Sequence, residues 1–347
     1  MDYQIASESH AETCPLCKAN VSVIADTHPG YQDKHSYRIC ECEYCDLQFT
    51  DPMIVPSWLY DSIYANADRL PGYSRYCQYR DLVQSSAKPL DLLAAQEAAY
   101  WFIRSELTAL PPAARILEIG SGLGYLTYAI HAAGYNITGI DISNDAVTKA
   151  RSTFGDLYQH KDLSALAAEE PGSFDAVIMT EVIEHIPDPS AFLGAAASVL
   201  KASGEIILTT PNKSDSLLGT CWNTENPPVH LWWFSETAMR RLAQMSSLSV
   251  RMGDFTSMYR RSKDPLSTTP EYPAWLDASG QVTEAATQLL AVGEKWNTRM
   301  ASVKRYFGRL FPLVLAARRV KQNYPALIQR NPQMGVVLTK RLAAVQA

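Results

Sequence analysis

The stretch Arg-Ile-Leu-Glu-Ile-Gly-Ser-Gly-Leu-Gly, residues 115–124, decides the fold. Its first five residues are mostly apolar and predict a buried strand, and a helical run to residue 133 follows the three glycines. Glycines at such a junction let the backbone pass close to a ligand and let the helix approach the sheet. Their spacing differs from the dinucleotide pattern GxGxxG, and the loop lacks the Lys-Ser/Thr of a phosphate-binding P-loop. This departure disfavours a nicotinamide-dependent oxidoreductase.

Apolar strands and amphipathic helices alternate after this loop. The sequence predicts further strands at residues 136–142, 158–161, 174–180, 204–210, 248–256 and 335–339, with helices at 144–154, 189–200 and 236–245. Such alternation predicts an α/β fold with a doubly wound, mostly parallel sheet, similar to a Rossmann fold. Ligands of these sheets bind beyond the carboxyl ends of the strands.

Polar residues stand where three of these strands end. A carboxylate at Asp141, after the second strand, is placed to accept hydrogen bonds from both hydroxyls of a ribose, and Asp162, after the third, from an adenine amino group. The alternative for both aspartates is capping of the helix that follows. The full set of cofactor-binding candidates is Glu118, Gly120, Gly122, Gly124, Asp141, Ile142, Asp162 and Thr180.

Residues 114–257 resemble a class I S-adenosylmethionine-dependent methyltransferase. The segments EVIEHIPDP, residues 181–189, and VLKASGEIILTTPN, residues 199–212, resemble the branch that includes the ubiquinone-biosynthesis O-methyltransferases. The resemblance implies S-adenosylmethionine as cofactor, with the three glycines along its methionine part, Asp141 on the ribose and Asp162 on the adenine. The whole chain resembles a bacterial subgroup whose members often act in sugar, cell-envelope or natural-product pathways.

Two histidines are candidates for a general base. Methyl transfer aligns an acceptor lone pair with the S–CH3 bond, and a hydroxyl acceptor must also lose a proton. His230 is preferred because related enzymes carry a histidine at this place, and His185, just past the fourth strand, is the second candidate. Glu181 would orient a histidine or contact the acceptor. The alternatives are a loop-fixing hydrogen bond for His185 and packing against neighbouring tryptophans for His230.

Two CxxC pairs lie near the N-terminus, Cys14–Cys17 and Cys42–Cys45, with short alternating segments between them. The pattern predicts a zinc ribbon in which these four thiolates bind a structural Zn2+. Cys40 is an alternative to Cys42, but two residues between ligands is the usual turn. A closed tetrathiolate site has a folding role, not a catalytic one. The competing interpretation is a cluster of free cysteines in a small apolar core.

Five segments are therefore expected: a zinc-ribbon module at 1–55, a tyrosine-rich helical linker or cap at 56–112, an S-adenosylmethionine-binding core at 113–257, a helical lid insert at 258–333, and the last strand with a tail at 334–347. Residues 89–108 are predicted as one helix. The tyrosines of the second segment either pack between ribbon and core or form an aromatic wall over a ligand pocket.

Charge is distributed unevenly along the 347 residues. The net charge is −5, but the chain after Glu294 contains eleven Lys and Arg and no Asp or Glu. These basic residues either face solvent or contact a phosphate-bearing acceptor or an anionic membrane surface. The acidic remainder argues against a specific nucleic-acid partner. No signal peptide or membrane span is recognisable, so a soluble cytoplasmic protein is expected.

The expected function is transfer of a methyl group from S-adenosylmethionine to a small-molecule acceptor. A hydroxyl of a sugar-like or natural-product substrate is preferred, and a C- or N-methyltransferase of the same fold is the first alternative. An alternative of another class is a non-catalytic zinc-ribbon binding module whose cofactor fold is degenerate.

Overall fold

The computed structural model of the chain describes residues 11–32, 35–70, 72–215, 226–255, 257–258, 275–285, 287 and 333–341. The strands in chain order are β1 (Ser22–Pro29), β2 (Ser36–Cys42), β3 (Leu47–Asp51), β4 (Arg115–Ile119), β5 (Asn136–Asp141), β6 (Tyr158–His160), β7 (Phe174–Thr180), β8 (Leu200–Pro211), β9 (Trp232–Phe234), β10 (Leu248–Met252) and β11 (Gln333–Lys340). The α-helices are α1 (Leu59–Ala65), α2 (Ser74–Ser85), α3 (Pro89–Gln96), α4 (Ala98–Leu107), α5 (Tyr125–Ala132), α6 (Asn144–Phe154), α7 (Leu163–Glu169), α8 (Pro189–Val199) and α9 (Glu236–Met245).

Seven strands form the central sheet, in the order β10-β11-β8-β7-β4-β5-β6. The five strands from β8 to β6 pair in parallel, whereas β11 pairs antiparallel with both β8 and β10. The order reverses at β4, which pairs with β5 on one side and β7 on the other. The doubly wound, mostly parallel α/β fold predicted from the sequence is confirmed, and the reversal beside β4 is where such sheets bind ligands.

Both faces of the sheet are buried, which explains the nearly continuous apolar strands. Alternate residues of one strand point to opposite faces, so Leu117 of β4 joins one apolar cluster and Ile116 joins another. The first cluster includes Leu193 of α8, and the second includes Phe102 and Ile103 of α4. Helices thus cover both faces and leave the carboxyl strand ends for the ligand.

Three local predictions differ from the structure. The single helix expected at 89–108 is two helices, α3 and α4, separated at Glu97 by an extended backbone with φ −133° and ψ 149°. The short helix α7 was not predicted, and β10 ends at Met252 instead of continuing to residue 256. The lid insert predicted at 258–333 lies outside the described residues except at 258, 275–285, 287 and 333.

A second sheet lies in the cysteine-rich N-terminal module, and it extends beyond that predicted module. Its order is β1-β2-β3-β9, with antiparallel pairing throughout. Phe49 of β3 pairs with Trp232 of β9, which belongs to the segment predicted as core. Trp232 and Phe234 are almost fully buried in the apolar cluster that also covers the central sheet. The N-terminal module is therefore joined to the core by strand pairing and by a shared hydrophobic core.

A buried lysine adds an ionic link between the same two parts. Lys213 follows β8 and is fully buried, with its Nζ 3.2 Å from the Glu41 carboxylate and in contact with the Asp46 carboxylate. The side-chain amide of Gln48 also donates to Glu41 at 2.8 Å. Two acidic groups of the N-terminal module thus neutralise one lysine of the core.

Replacing Lys213 by methionine is expected to lower the free energy of unfolding by about 3 kcal/mol, because Glu41 is left as an uncompensated buried carboxylate. Urea unfolding would measure the change. Lys201→Met is the matched control, since Lys201 forms an ion pair with Asp175 but 45% of its side chain is exposed. That exposed pair should contribute less than about 1 kcal/mol. Equal destabilisation by the two variants would contradict a role for the buried cluster.

Candidate active site

A cavity of about 610 Å³ opens at the carboxyl ends of β4, β5 and β7. The glycine loop 120–124 forms part of its wall, the residues that follow β5, β6 and β7 form another part, and the tyrosine-rich segment closes the side facing α1 and α2. Its volume is in the range of small-molecule and cofactor sites. Every residue predicted to bind the cofactor or to act in catalysis lines this cavity, except Gly124.

The glycine loop has a conformation that favours glycine strongly. Gly120, Gly122 and Gly124 have φ values of 74°, 49° and 82°, in the left-handed region. A Cβ at Gly120 would lie 2.7 Å from Val182, and one at Gly122 would lie 2.8 Å from the Tyr64 hydroxyl. The loop therefore brings bare backbone to the cavity wall, which is the surface that a closely approaching ligand needs.

Asp141 holds this loop from the neighbouring strand. One carboxylate oxygen accepts from the Gly122 amide at 2.8 Å, and the other accepts from the Ser143 amide at 2.8 Å. Burial raises the pKa of Asp141, and these two N–H donors oppose the shift. Ser143, and not Asp141, caps α6 by accepting from the Ala146 amide. The capping alternative for Asp141 is therefore wrong, and its carboxylate lies in the cavity wall.

Asp162 does cap a helix. Its carboxylate accepts from the amides of Ser164 at 2.8 Å and Ala165 at 3.3 Å, at the start of α7. The side chain also lines the cavity, together with Ile142, whose surface is 61% exposed at the mouth. The sequence interpretations of capping and of ligand contact are compatible for this residue, because one carboxylate can accept several hydrogen bonds.

Two further cofactor candidates differ in their hydrogen bonding. Glu118 is buried at the end of β4 and accepts a hydrogen bond from the Thr127 hydroxyl of α5. Burial raises the pKa of Glu118 to about 8. Thr180, at the end of β7, has a buried hydroxyl without a hydrogen-bond partner among the described residues. Buried polar atoms are normally satisfied, so this hydroxyl marks a place for a ligand group.

The two predicted histidines lie together. Their ring centroids are 4.9 Å apart, and the rings are inclined by 58°. Nδ1 of His185 is 2.6 Å from the Val229 carbonyl oxygen, so that nitrogen carries the proton and Nε2 carries the lone pair. His230 is only 5% exposed, and its Nδ1 has no hydrogen-bond partner within the described part of the chain.

Both histidines are neutral at neutral pH. Burial lowers the pKa of His185 to about 4, and the carbonyls of Val229 and Glu181 partly offset the shift. Burial lowers the pKa of His230 well below its usual value, with a smaller contribution from His185. A neutral imidazole can accept a proton, which is what a general base requires.

Glu181 occupies a strained position beside them. Its φ is 53°, in a region that residues other than glycine rarely adopt and that is typical of functional sites. One carboxylate oxygen accepts from the Thr209 hydroxyl at 2.9 Å and from the Gln333 amide at 2.7 Å. Burial raises the pKa of Glu181. Gln333 belongs to β11, more than 150 positions away, and sequence reasoning missed it.

Glu184 was also missed as a site residue. It is fully buried, accepts a hydrogen bond from the Thr210 hydroxyl at 3.1 Å, and has a carboxylate oxygen 3.9 Å from Nε2 of His185. Donor atoms of Glu184, His185 and His230 all lie within 4.8 Å of one another. Two imidazoles and one carboxylate at this separation can bind a divalent cation.

The tyrosine-rich segment contributes an aromatic wall to the cavity. Tyr60, Tyr64, Tyr73 and Tyr76 line it from α1, α2 and the residues between them. Tyr73 contacts Tyr64 and Tyr76 edge to face, with centroids 6.4 and 5.7 Å apart, and the Tyr60 ring contacts His185 in the same way. Both interpretations of this segment hold: the rings line the cavity, and Tyr60 and Tyr73 also pack against an apolar cluster that contains Tyr31 of the N-terminal module and Val229 of the core.

The four predicted zinc ligands lie together in the N-terminal module. The sulfur atoms of Cys14, Cys17, Cys42 and Cys45 are all within 4.8 Å of one another, and those of Cys17 and Cys42 are 3.5 Å apart. Cys40 is buried but is not part of this group. Four thiols converging at this distance fit a tetrahedral zinc site.

Comparisons with known proteins find a methyltransferase domain in the middle of the chain. Residues 94–251 match a family profile described as a methyltransferase domain. The ubiquinone biosynthesis O-methyltransferase of Xanthomonas campestris pv. campestris is 39% identical over 132 residues, which cover 37% of this chain and 54% of the relative. The chain thus spans about half the length of the curated relatives it matches.

Solved structures of methyltransferases are similar at a lower level. A SAM-dependent methyltransferase from Archaeoglobus fulgidus is 17% identical, with a TM-score of 0.41 over 77% of this chain and 99% of that one. Phosphoethanolamine N-methyltransferase 2 of Haemonchus contortus, in complex with S-adenosyl-L-methionine, is 15% identical, with a TM-score of 0.41 over 76% of this chain and 60% of that one.

Within the described residues, none of the helices is long and apolar enough to cross a membrane. Residues 94–251 thus match a methyltransferase domain, as the predicted resemblance implies.

Proposed function

We propose that this chain, whose central segment is a methyltransferase domain, transfers a methyl group from S-adenosylmethionine to a hydroxyl of a small-molecule acceptor. The preferred acceptor class is a sugar-like or natural-product molecule. The observation that carries the proposal is one continuous cavity that joins the glycine loop and Asp141 to the neutral pair His185 and His230. The proposed cofactor-binding residues and the proposed proton acceptors thus line the same cavity.

The residues at the cofactor end fit S-adenosylmethionine. Gly120 and Gly122 offer unobstructed backbone to its methionine part, and the Asp141 carboxylate is available to the ribose hydroxyls. Ile142 and Asp162 would contact the adenine, and Thr180 has a buried hydroxyl that needs a partner. When bound, the cofactor supplies an activated methyl group on a sulfonium, so the protein needs only to align the acceptor and remove its proton.

The chain's own contribution at the acceptor end is proton acceptance and positioning. His230 would take the proton of the acceptor hydroxyl on its Nδ1, which has no protein partner among the described residues. His185, fixed by the Val229 carbonyl, packs against His230 and limits the orientations of its ring. Glu181 is held by Thr209 and Gln333, and it would contact the acceptor or orient a histidine.

A second candidate mechanism rests on Glu184. Together with the two histidines it could hold a divalent cation, which would lower the pKa of a bound acceptor hydroxyl and replace the base. Addition and removal of a chelator during turnover distinguishes the two mechanisms when metal analysis shows that the zinc of the four cysteines is retained. A C- or N-methyltransferase would use the same cavity, with a carbon acid or an amine in place of the hydroxyl.

The remaining proposals concern the flanking segments. We infer that Cys14, Cys17, Cys42 and Cys45 bind a structural Zn2+ and that the N-terminal module has no catalytic role. The five-segment division predicted from the sequence is kept as a proposal, with β9 added to the small sheet. We also keep the proposal that the basic C-terminal insert contacts a phosphate-bearing acceptor or an anionic membrane surface. The basic residues of this insert lie outside the described ranges.

Asp141→Ala tests the cofactor assignment. The variant is expected to weaken S-adenosylmethionine binding by about 1–3 kcal/mol, because the ribose hydroxyls lose their acceptor. Titration calorimetry would measure the affinity. Asp156→Ala is the control, since that carboxylate is 92% exposed and does not line the cavity. Unchanged affinity in Asp141→Ala would refute the placement of the cofactor in this cavity.

A further inference from the structure

Arg75 is a charged residue of the cavity wall that has no role in the mechanism described above. It is the second residue of α2, and 45% of its side-chain surface is accessible. Its Nε is 3.0 Å from the Glu97 carboxylate, and one Nη2–H donates to the Tyr76 hydroxyl at 2.9 Å. The guanidinium carbon lies 4.7 Å from the centre of the Tyr76 ring.

These contacts fix the guanidinium but use only part of its hydrogen-bonding capacity. An arginine has five N–H donors, and Glu97 and Tyr76 take two of them. The other three have no partner among the described residues. Glu97 is itself anchored by the Tyr79 hydroxyl at 2.7 Å, so the carboxylate that orients Arg75 is held in place as well. The result is a pre-positioned cation with free donors at the wall of a ligand cavity.

Neighbouring contacts locate Arg75 at the end of the cavity near the glycine loop. The Tyr76 ring stacks on the Tyr125 ring with centroids 6.0 Å apart, and Tyr125 directly follows Gly124. The charge of Arg75 also lowers the pKa of Glu181, against the larger raising effect of burial, so the two side chains are within electrostatic reach. Lys161 is the other lysine or arginine that lines the described part of the cavity, and it lies beside Asp162.

We propose that Arg75 binds the α-carboxylate of the methionine part of S-adenosylmethionine, an inference that rests on the proposed function. The adenosine would extend from the glycine loop toward Asp141 and Asp162, which leaves the amino-acid part near Tyr125 and Arg75. A carboxylate is planar and matches two parallel N–H donors of a guanidinium. Glu97 and Tyr79 are then positioning residues, because they act through Arg75 and do not touch the cofactor.

Two probes separate the carboxylate from the rest of the cofactor. S-Adenosylhomocysteine retains the α-carboxylate, whereas 5′-methylthioadenosine retains the nucleoside and the sulfur but has no amino-acid part. Calorimetric affinities for both probes would be measured on the full chain, its Arg75→Gln variant and its Arg75→Lys variant. Arg80→Gln is the matched control, because Arg80 lies on the same helix, pairs with Asp81 and does not line the cavity.

The expected result is selective. Arg75→Gln should weaken S-adenosylhomocysteine binding about 10- to 100-fold, since a charge-assisted hydrogen bond is lost, and should leave 5′-methylthioadenosine binding unchanged. Arg75→Lys should lose a smaller factor for S-adenosylhomocysteine alone, because a lysine keeps the charge but not the planar pair of donors. If Arg75→Gln does not fold, Arg75→Lys carries the same comparison.

Four other results would contradict either the role of Arg75 or the proposed function. Equal weakening of both probes, or no weakening of either, would overturn the role of Arg75. A raised KM for the acceptor with unchanged S-adenosylhomocysteine affinity would also overturn it, because Arg75 would then bind an acidic group of the acceptor. A wild-type chain that binds neither probe would refute the proposed function itself, before any variant is made.

Discussion

Replacing Cys42 by serine is expected to remove zinc from the purified protein and to unfold the N-terminal module. The four sulfur atoms lie within 4.8 Å of one another, and three of the four cysteines are buried, so the loss of one thiolate opens the site. Binding of structural zinc contributes about 10 kcal/mol or more to the folding of small zinc modules. Metal analysis should find one zinc per wild-type chain and much less than one in Cys42→Ser.

Cys40→Ser is the matched control for this experiment. Cys40 is two residues away on the same strand and fully buried, but its partner across the sheet is Phe49 and it is not in the sulfur cluster. The control should keep its zinc and lose only the packing of one small side chain. Loss of zinc from Cys40→Ser with retention in Cys42→Ser would show that the ligand assignment is wrong.

The consequence of metal loss should reach the methyltransferase domain. Strand β9 pairs with β3 of the module, and Trp232 and Phe234 are buried beneath it. His230 is only two residues before β9, and the Leu231 amide donates to the Glu184 carbonyl at 2.9 Å. Unfolding of the module would release this segment, so tryptophan fluorescence and acceptor turnover should both change. The two changes together would show that the module stabilises the segment that carries His230.

Much of the fold could be predicted from local sequence, because a strand that is buried on both faces is a nearly continuous run of apolar residues. Asp141 was predicted from its position at the end of a strand, since a residue that ends a parallel strand lies at the ligand-binding edge of the sheet, and it lies in the cavity wall. The two CxxC pairs are local turns with a characteristic spacing. In each case the information lies within a few residues of chain.

The residues that sequence reasoning missed depend on contacts between distant segments. Gln333 reaches Glu181 only because β11 inserts between β8 and β10, and no pattern near residue 333 indicates this. Arg75 and Glu97 are 22 positions apart and meet because α3 and α4 separate at Glu97. The break that brings them together was the part of the predicted helix 89–108 that was wrong.

Replacing His230 by alanine is expected to lower turnover about 10²- to 10⁴-fold, the usual contribution of a general base. The affinity for S-adenosylmethionine should hardly change, because His230 is not among the proposed cofactor-binding residues, most of which lie at the ends of β4, β5 and β6. Steady-state rates and calorimetry would separate the two effects. His131→Ala is the control, since His131 is exposed at the end of α5 and does not line the cavity.

His230→Gln distinguishes proton acceptance from shape, because glutamine reaches a similar distance but is not a base near neutral pH. Near-normal turnover in this variant would leave His230 only a positioning role and make His185 the next candidate. Loss of wild-type turnover on chelation while metal analysis still finds the zinc of the four cysteines, with recovery on adding a divalent cation, would instead favour a metal held by Glu184 and the two histidines. If neither histidine variant loses activity and chelation has no effect, an amine acceptor would explain the reaction better than a hydroxyl.

The pH dependence provides an independent test of the same base. Burial lowers the pKa of His185 to about 4 and that of His230 well below its usual value, so both rings stay neutral through the range in which an exposed histidine titrates. The profile of kcat/KM should therefore show no histidine titration between about pH 5.5 and 7.5. Because the folded protein favours the neutral rings, their contribution to stability is complete above the unfolded pKa of about 6.5 and is lost as the pH falls toward 4 and below. An inflection near pH 6.5 that disappears in His230→Gln would contradict this expectation. It would mean that water reaches the His230 ring during turnover, so that the base acts from a solvent-exposed position.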